Sequence, residues 1–273
     1  MHTPLCKHAR GEPGEYASVA ERRGLAGIVV TCHNPTNDGW SPDVRMSLAE
    51  FEQYVALVEN ARQEWMGRVD IRLGIESDYV PGMEPWLETL HRMAEFHHVL
   101  GSVHPHLEDY RDRFYTGDFA AYVQTYFDHI AMAAETGLFD TIAHPDLVRR
   151  VSPDQWDPTR AMDSICLSLD RIARAGTAME LNTSGLNAEC GEVYPNKPML
   201  GEMLKRNIPV VLGADAHDFC LQIFTYRLRC QLRRSRKCRP QEGYQSNPAS
   251  VWRWYRIWRR RGCQFRRSPQ EGF

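Results

Sequence analysis

Long apolar runs are missing from this 273-residue sequence. No stretch reaches the roughly 18 apolar residues a bilayer span requires, and the opening MHTPLCKHARGEPGEY has no apolar core of the kind a secretory signal carries. A cytoplasmic protein with no membrane partner is therefore expected. Paired cysteines are missing as well. The eight cysteines, at 6, 32, 166, 190, 220, 230, 238 and 263, form no CxxC pair and no compact framework, so reduced thiols are expected rather than disulfide staples. Neither an internal repeat nor a low-complexity linker interrupts residues 1–218, which excludes a solenoid. Acidic residues nearly vanish from 219–273, which carry 14 Lys and Arg against two Glu, whereas 1–218 hold 19 basic and 33 acidic residues. The break divides the chain into a domain over 1–218 and an Arg/Trp-rich tail over 219–273. With 42% hydrophobic and 25% charged residues overall, the chain has enough apolar surface for a sizeable core.

Short β-type runs alternate with longer amphipathic runs up to residue 218, the pattern of βα units around a parallel sheet. Strands are expected at 26–32, 69–76, 98–103, 139–143, 178–182 and 208–214. Helices are expected at 15–23, 48–65, 84–96, 119–136, 159–175 and 198–206. Ser47 is a candidate N-cap, and Gly24, Gly67, Gly137 and Gly176 stand just past four of the helices. A closed barrel and an open doubly wound sheet share this alternation, and the residues after each strand decide between them.

Five of the six strand candidates run into a metal-capable side chain: His33, Glu76, His104, His144, and Asp215 with His217. His2 and His8 add two imidazoles near the N-terminus. Each alone is more often a hydrogen-bonded core or surface residue than a ligand. Recurrence at one structural station changes that, because barrel strands all open their C-terminal ends onto one face. His91, His97, His98 and His129 fall elsewhere and are read as structural or solvent-facing, with His106 a weaker candidate for the site. Mixed imidazole and carboxylate donors without thiolate suit Zn, Mn or Fe. Such a cluster binds phosphoryl oxygens and lowers the pKa of bound water toward neutrality, which points to hydrolysis of a phosphoester.

At these residues the sequence resembles the PHP superfamily, the polymerase and histidinol phosphatase domains. The resemblance rests on MHTPLCKHARGEPGEY, HNP at 33–35, MSLAEFEQY at 46–54, GIESDYVPG at 74–82, GSVH at 101–104, GLFDTIAHPDL at 137–147, ELNTSG at 180–185 and LGADAHD at 212–218. Within the superfamily it is similar to the monofunctional histidinol-phosphatase branch. That resemblance implies a distorted (β/α)7 TIM-like barrel of the α/β class holding two or three divalent ions. It implies that His2, Glu76 and Asp215 bind one ion, that Glu76 bridges to a second held by His104 and His144, and that His8, His33 and His217 hold a third. A hydroxide between the first two ions would be the nucleophile, with Asp215 or His217 handling protons. The substrate would be a small phosphorylated molecule, L-histidinol phosphate, at the penultimate stage of histidine biosynthesis.

The sequence departs from the family in three places. Met1 stands where the family has the middle residue of His-x-His, so the first His and the strand leading to it are absent. Asn187-Ala188 replaces a basic pair that follows the TSGL segment in similar phosphatases; Arg149, Ser184 and Arg111 are the candidate substrate contacts, Arg111 and Arg113 being read in a loop after His104. The tail is the third departure, read as a frameshift after a late start rather than as a nucleic-acid arm. Nucleic acid is accordingly expected as a partner only if the tail is genuine. Two other functions remain open at this point: a PHP nuclease or nucleotide phosphoesterase, and a non-catalytic metal-binding remnant. Loops 34–46, 105–118 and 183–197 are expected to shape the pocket. Unpaired sheet edges predict poor solubility. The sequence leaves the oligomeric state open.

Overall fold

Six strands and seven α-helices, alternating except where α4 and α5 follow one another between β3 and β4, occupy residues 1–219, the part of the chain that the structure, a computed structural model, describes. The tail, with the frameshift and nucleic-acid readings attached to it, lies outside these residues apart from Phe219. The strands are β1 (Gly27–Val30), β2 (Asp70–Asp78), β3 (His98–Ser102), β4 (Thr141–Ile142), β5 (Ala178–Asn182) and β6 (Val210–Gly213). They pair in sequence order and every pair is parallel. The helices are α1 (Pro13–Arg22), α2 (Phe51–Glu64), α3 (Glu84–Leu90), α4 (Glu108–Phe114), α5 (Phe119–Glu135), α6 (Pro158–Ala175) and α7 (Lys197–Lys205). None of the described helices is long and apolar enough to cross a membrane.

Strands added in sequence order send their connections to one face, and the accumulated twist curls the sheet. The N-terminal dipeptide shows how far the curl goes. Met1 O accepts the Thr31 N–H at 2.8 Å, just past β1, while the His2 N–H donates to Ala216 O at 3.0 Å, just past β6. One dipeptide thus reaches both edge strands at their C-terminal ends. Farther down β6 the outer edge is open among the described residues, and Val210, Val211 and Leu212 are 48%, 36% and 64% exposed. The described sheet is a curled half-barrel of six parallel strands.

Two apolar clusters fix the helices to this sheet. One gathers Leu87, Tyr126, Phe127, Ile130, Ile165, Leu169, Met179 and Met199 under α3 and α5–α7; the other packs Tyr16, Val30, Tyr54, Val58, Ile71 and Ile75 between α1, α2 and the first strands. The buried Tyr54 hydroxyl sits 3.0 Å from Val30 O and 2.7 Å from Gly74 O, and so straps β1 to β2. Ser47 caps as expected through a reciprocal box with Glu50, and Gly176 closes α6 at φ 76°, a conformation that a β-carbon disfavours.

Three elements differ from expectation. Residues 108–114, read as loop, form α4: Glu108 and Asp109 lie in its first turn and Arg111 and Arg113 in its last, the charge order the helix dipole favours, and Tyr110 is buried. Arg111 is therefore a helix residue. The helix expected over 84–96 stops at Leu90, because the His91 ring turns inward to meet Ser77 Oγ at 3.0 Å and the His97 N–H already donates to Leu73 O. The strand expected at 139–143 pairs only over Thr141–Ile142. At its mouth Gly101 is obligatory, since a β-carbon there would come within 2.5 Å of the Phe139 ring.

Candidate metal centre

The ends of the strands deliver their polar side chains to one rim. Glu76 stands near the end of β2, with its neighbouring backbone tied to 32–34: its N–H donates to Cys32 O and its carbonyl accepts the Asn34 N–H. That clamp sets His33 beside Glu76. His144 and Asp215 each follow a strand by two residues, and both adopt left-handed backbone, at φ 25° and 45°. Non-glycine residues in that region are strained and persist where surrounding bonds hold them. For His144 the hold is its N–H, which donates to Glu180 Oε2 at 2.9 Å.

Glu76 is the hub. Its Oε1 is 3.1 Å from His144 Nε2 and 3.3 Å from His104 Nε2, and its Oε2 is 3.2 Å from His2 Nε2 and 4.0 Å from His33 Nδ1. His2 Nε2 also lies 3.0 Å from Asp215 Oδ1, and Ser184 Oγ donates to Asp215 Oδ2 at 3.3 Å. His217 stacks on His2 at 3.9 Å between ring centroids, and His8 lies 4.6 Å from His217 and 5.4 Å from His33. All eight residues expected as ligands thus stand in one cluster. His8 is exposed, His217 and Asp215 are half-buried, and the others are buried.

Charge follows from this crowding. Burial opposes ionisation of Glu76, but the four imidazoles around it outweigh burial and hold its carboxyl well below the usual range. His2 is raised well above an ordinary imidazole, because Asp215, Cys32, Cys6 and Glu76 together overcome its burial. Burial lowers His33 well below the ordinary imidazole value and lowers His217 to about 4, with His2 adding to both. Burial works against charge on His104 too, but Asp78 and Glu76 raise it to about 10.

Asp78, which the sequence reading passed over, positions this centre from behind. It stands two residues after Glu76 on the same strand, and alternate residues face the same side of a strand. Its Oδ1 is 2.9 Å from His104 Nδ1, and its Oδ2 accepts from the buried Arg45 guanidinium at 2.5 Å and from Trp40 Nε1 at 3.1 Å. Glu180 was passed over as well. Its carboxylate accepts from the His144 N–H and from the Asn182 amide, and it lies so close to β6 that a β-carbon on Gly213 would overlap Oε1 at 1.6 Å. The period-two spacing of Glu76 with Asp78, and of Glu180 with Asn182, was the available signal.

The substrate-contact candidates separate. Ser184 is in the cluster through Asp215. Arg111 is exposed and borders a cavity of about 580 Å³ together with His106, Glu108, Asp112 and Tyr115, and the His106 ring is 5.7 Å from that of His104. Arg149 stands apart from the cluster contacts: its buried guanidinium donates to the carbonyls of Glu192 and Val193 at 3.2 and 2.7 Å, faces Glu192 and Asp146, and lies over the Tyr194 ring, which fastens the 192–194 loop.

Ring nitrogens and carboxylates at this density call for cations. His2 Nδ1, His33 Nδ1, His144 Nδ1 and His217 Nε2 are buried without a hydrogen-bond partner among the described residues, which is costly for a polar atom. Among the described residues three sets of nitrogen and oxygen donors have the reach to share an ion, His2 with Glu76 and Asp215, His33 with Glu76 and His104, and His2 with His33 and His217, each with donor atoms within 4.8 Å of one another. The curled parallel sheet with imidazoles and carboxylates gathered at its strand ends makes this an α/β protein with candidate metal-binding groups on one rim. The family model of the PHP domain matches residues 1–184, and the chain belongs to that family.

Similarity to individual proteins extends beyond that segment. The chain is 36% identical over 228 residues to a Deinococcus radiodurans protein named "Probable histidinol-phosphatase", covering 80% of this chain and 85% of that protein. It is 27% identical over 250 residues to the histidinol-phosphatase of Bacillus subtilis, covering 80% and 92%. Its fold matches that of the Lactococcus lactis histidinol phosphate phosphatase crystallised with zinc, L-histidinol and phosphate, at a TM-score of 0.70 and 17% identity, over 85% of this chain and 91% of that one.

Proposed function

We propose that the chain is a metal-dependent phosphomonoester hydrolase that converts L-histidinol phosphate and water to L-histidinol and phosphate. The observation that carries this reading is the division of imidazoles around Glu76, with His104 and His144 at one oxygen and His2 and His33 at the other. A carboxylate flanked in this way suits a bridge between two cations, and the 36% identical relative bears the matching name. His2, Glu76 and Asp215 would hold one ion, Glu76, His104 and His144 a second, and His8, His33 and His217 a third where three are bound. Zinc, manganese and iron all suit this donor set, and bound there they would polarise the phosphoryl group and supply a nucleophile from water at neutral pH.

The chain's own residues do the rest. Asp78, anchored by Arg45, holds the His104 ring in register by its Nδ1, which directs Nε2 at Glu76. Ser184 fixes one oxygen of Asp215 and leaves the other facing His2, and His217 Nδ1 lies 3.4 Å from that second oxygen. These contacts support reading Asp215 and His217 as the pair that would hold and pass a proton at the edge of the cluster. Arg111, at the mouth of the neighbouring cavity, offers a charge for the phosphate, and Glu108 and Asp112 offer charges for an ammonium group.

Phosphate release from L-histidinol phosphate by the full chain with added Mn²⁺ or Zn²⁺ tests this reading, beside a His144→Ala variant. Release that disappears in the variant is expected. Cations bound without any release would keep the metal centre and remove the substrate assignment.

A further inference from the structure

His2 also faces two sulfurs that the proposed hydrolysis does not use. One of its ring nitrogens and the Sγ atoms of Cys6 and Cys32 all lie within 4.8 Å of one another. All three residues are buried, at 1%, 0% and 0% exposure. Cys6 arrives from the short turn Pro4–Cys6, and Cys32 from the segment after β1. Cys32 Sγ is held by Thr3, whose N–H and hydroxyl stand 3.4 and 3.2 Å from it and whose carbonyl stands at 3.7 Å.

We propose that His2, Cys6 and Cys32 form a second, sulfur-rich cation site that takes a thiophilic d¹⁰ ion such as Cd²⁺ and shares His2 with the oxygen-and-nitrogen cluster. Ligands about 2.3 Å from a tetrahedral ion stand about 3.7 Å apart, so three donors already within 4.8 Å of one another need only small side-chain movements. Two thiolates and an imidazole select soft ions over Mn²⁺, whereas the carboxylates around His104 and His144 lean the other way. The two sites therefore sort cations by softness. Binding forms two sulfur–metal bonds and one nitrogen–metal bond, and the thiol protons leave to solvent. His2 is common to both sites, its Nε2 being the nitrogen that faces Glu76 and Asp215.

The test uses Cd²⁺ alone as the probe and reads sulfur–metal bonding rather than turnover, so it stands or falls separately from the phosphatase assignment. The starting protein is the full chain with Cys166, Cys190, Cys220, Cys230, Cys238 and Cys263 replaced by Ser, which leaves the Cys6 and Cys32 pair as the sole thiols. A thiolate-to-cadmium ultraviolet charge-transfer band that saturates at one ion per chain, and is lost on adding Cys32→Ser, is expected. No band in the folded starting protein would overturn the site, as would a band that survives replacement of both remaining cysteines. Should Cys32→Ser fail to fold, ¹¹³Cd resonance of the starting protein decides: a shift in the two-sulfur range supports the site, and a shift in the oxygen–nitrogen range removes it.

Discussion

Glu76 and Glu180 lie on the same curled sheet, both buried, and their carboxyls are shifted in opposite directions. Burial raises both. Around Glu76 four imidazoles reverse that effect and hold the carboxyl well below its usual range. Around Glu180 burial prevails, with Asp215 adding to it, and the partial opposition of His144, its N–H and the Asn182 amide leaves the carboxyl raised. Burial alone therefore does not identify a ligand here. The neighbours separate the two: one carboxylate is ringed by imidazoles, and the other spends Oε2 on the Asn182 amide and on the N–H that holds the strained backbone of His144.

The sharpest way to break this contrast is a paired substitution. Glu76→Gln keeps the shape and removes the charge, and phosphate release should fall to background with the bridged ions lost, as read by metal content after dialysis. Glu180→Gln keeps an acceptor for the His144 N–H, and metal content should stay unchanged. Equal loss in both variants would mean that Glu180 is itself a ligand. Asp78→Asn comes next in size. It leaves His104 in place but weakens the hold on Nδ1, and removal of such an outer partner typically costs about 10- to 100-fold in metal affinity or activity. Isothermal titration with Mn²⁺ measures it, and wild-type affinity in the variant would show that Arg45 and Trp40 pack Asp78 for stability alone.

pH sharpens the same comparison. In the metal-free protein burial disfavours charge on His104, but Asp78 and Glu76 raise its pKa to about 10. That pairing stabilises the metal-free fold fully below the ordinary imidazole range and loses its contribution as pH rises through about 10. A cation can use only the unprotonated ring, so loading must expel the proton. Affinity should therefore tighten with rising pH below that value, roughly tenfold per pH unit for each proton displaced. Proton release into weak buffer on adding Mn²⁺ gives the count. No release, with metal bound, would mean that His104 stays outside the coordination.

Much of this centre was legible before the fold. His33, Glu76, His104, His144 and Asp215 share one station because a parallel sheet stacks its strand ends, and a sequence reports strand ends directly. Asp78 and Glu180 were less legible because an acidic residue in a strand announces neither a partner nor a charge state. The partners of Arg149 were hidden for a related reason: the carbonyls of Glu192 and Val193 that hold it come from a loop with no periodicity to read. Helix α4 was hidden by its brevity, since seven residues give too few turns for a pattern. His2 looked like one ligand among several, and only the curl shows its N–H closing on Ala216 while its ring faces two cysteines.

The smallest expected effect concerns the other contrast in the sheet, between its buried middle strands and the side of β6 that pairs with no described strand. Val210, Val211 and Leu212 present a short apolar edge, and unpaired edges of this kind recruit other strands. Leu212 is the most exposed of the three, at 64%, and its backbone pairs inward with Leu181, so a longer polar side chain there meets solvent rather than the core. Leu212→Lys should leave melting temperature and phosphate release close to wild type while raising the monomer fraction at high concentration, measured by light scattering after size exclusion. A lysine at a strand edge works by making a second strand bury a charge, so its effect should shrink as salt rises. Association that is unchanged by the lysine at every salt concentration would place the sticky surface elsewhere on the chain and remove the edge of β6 from the argument.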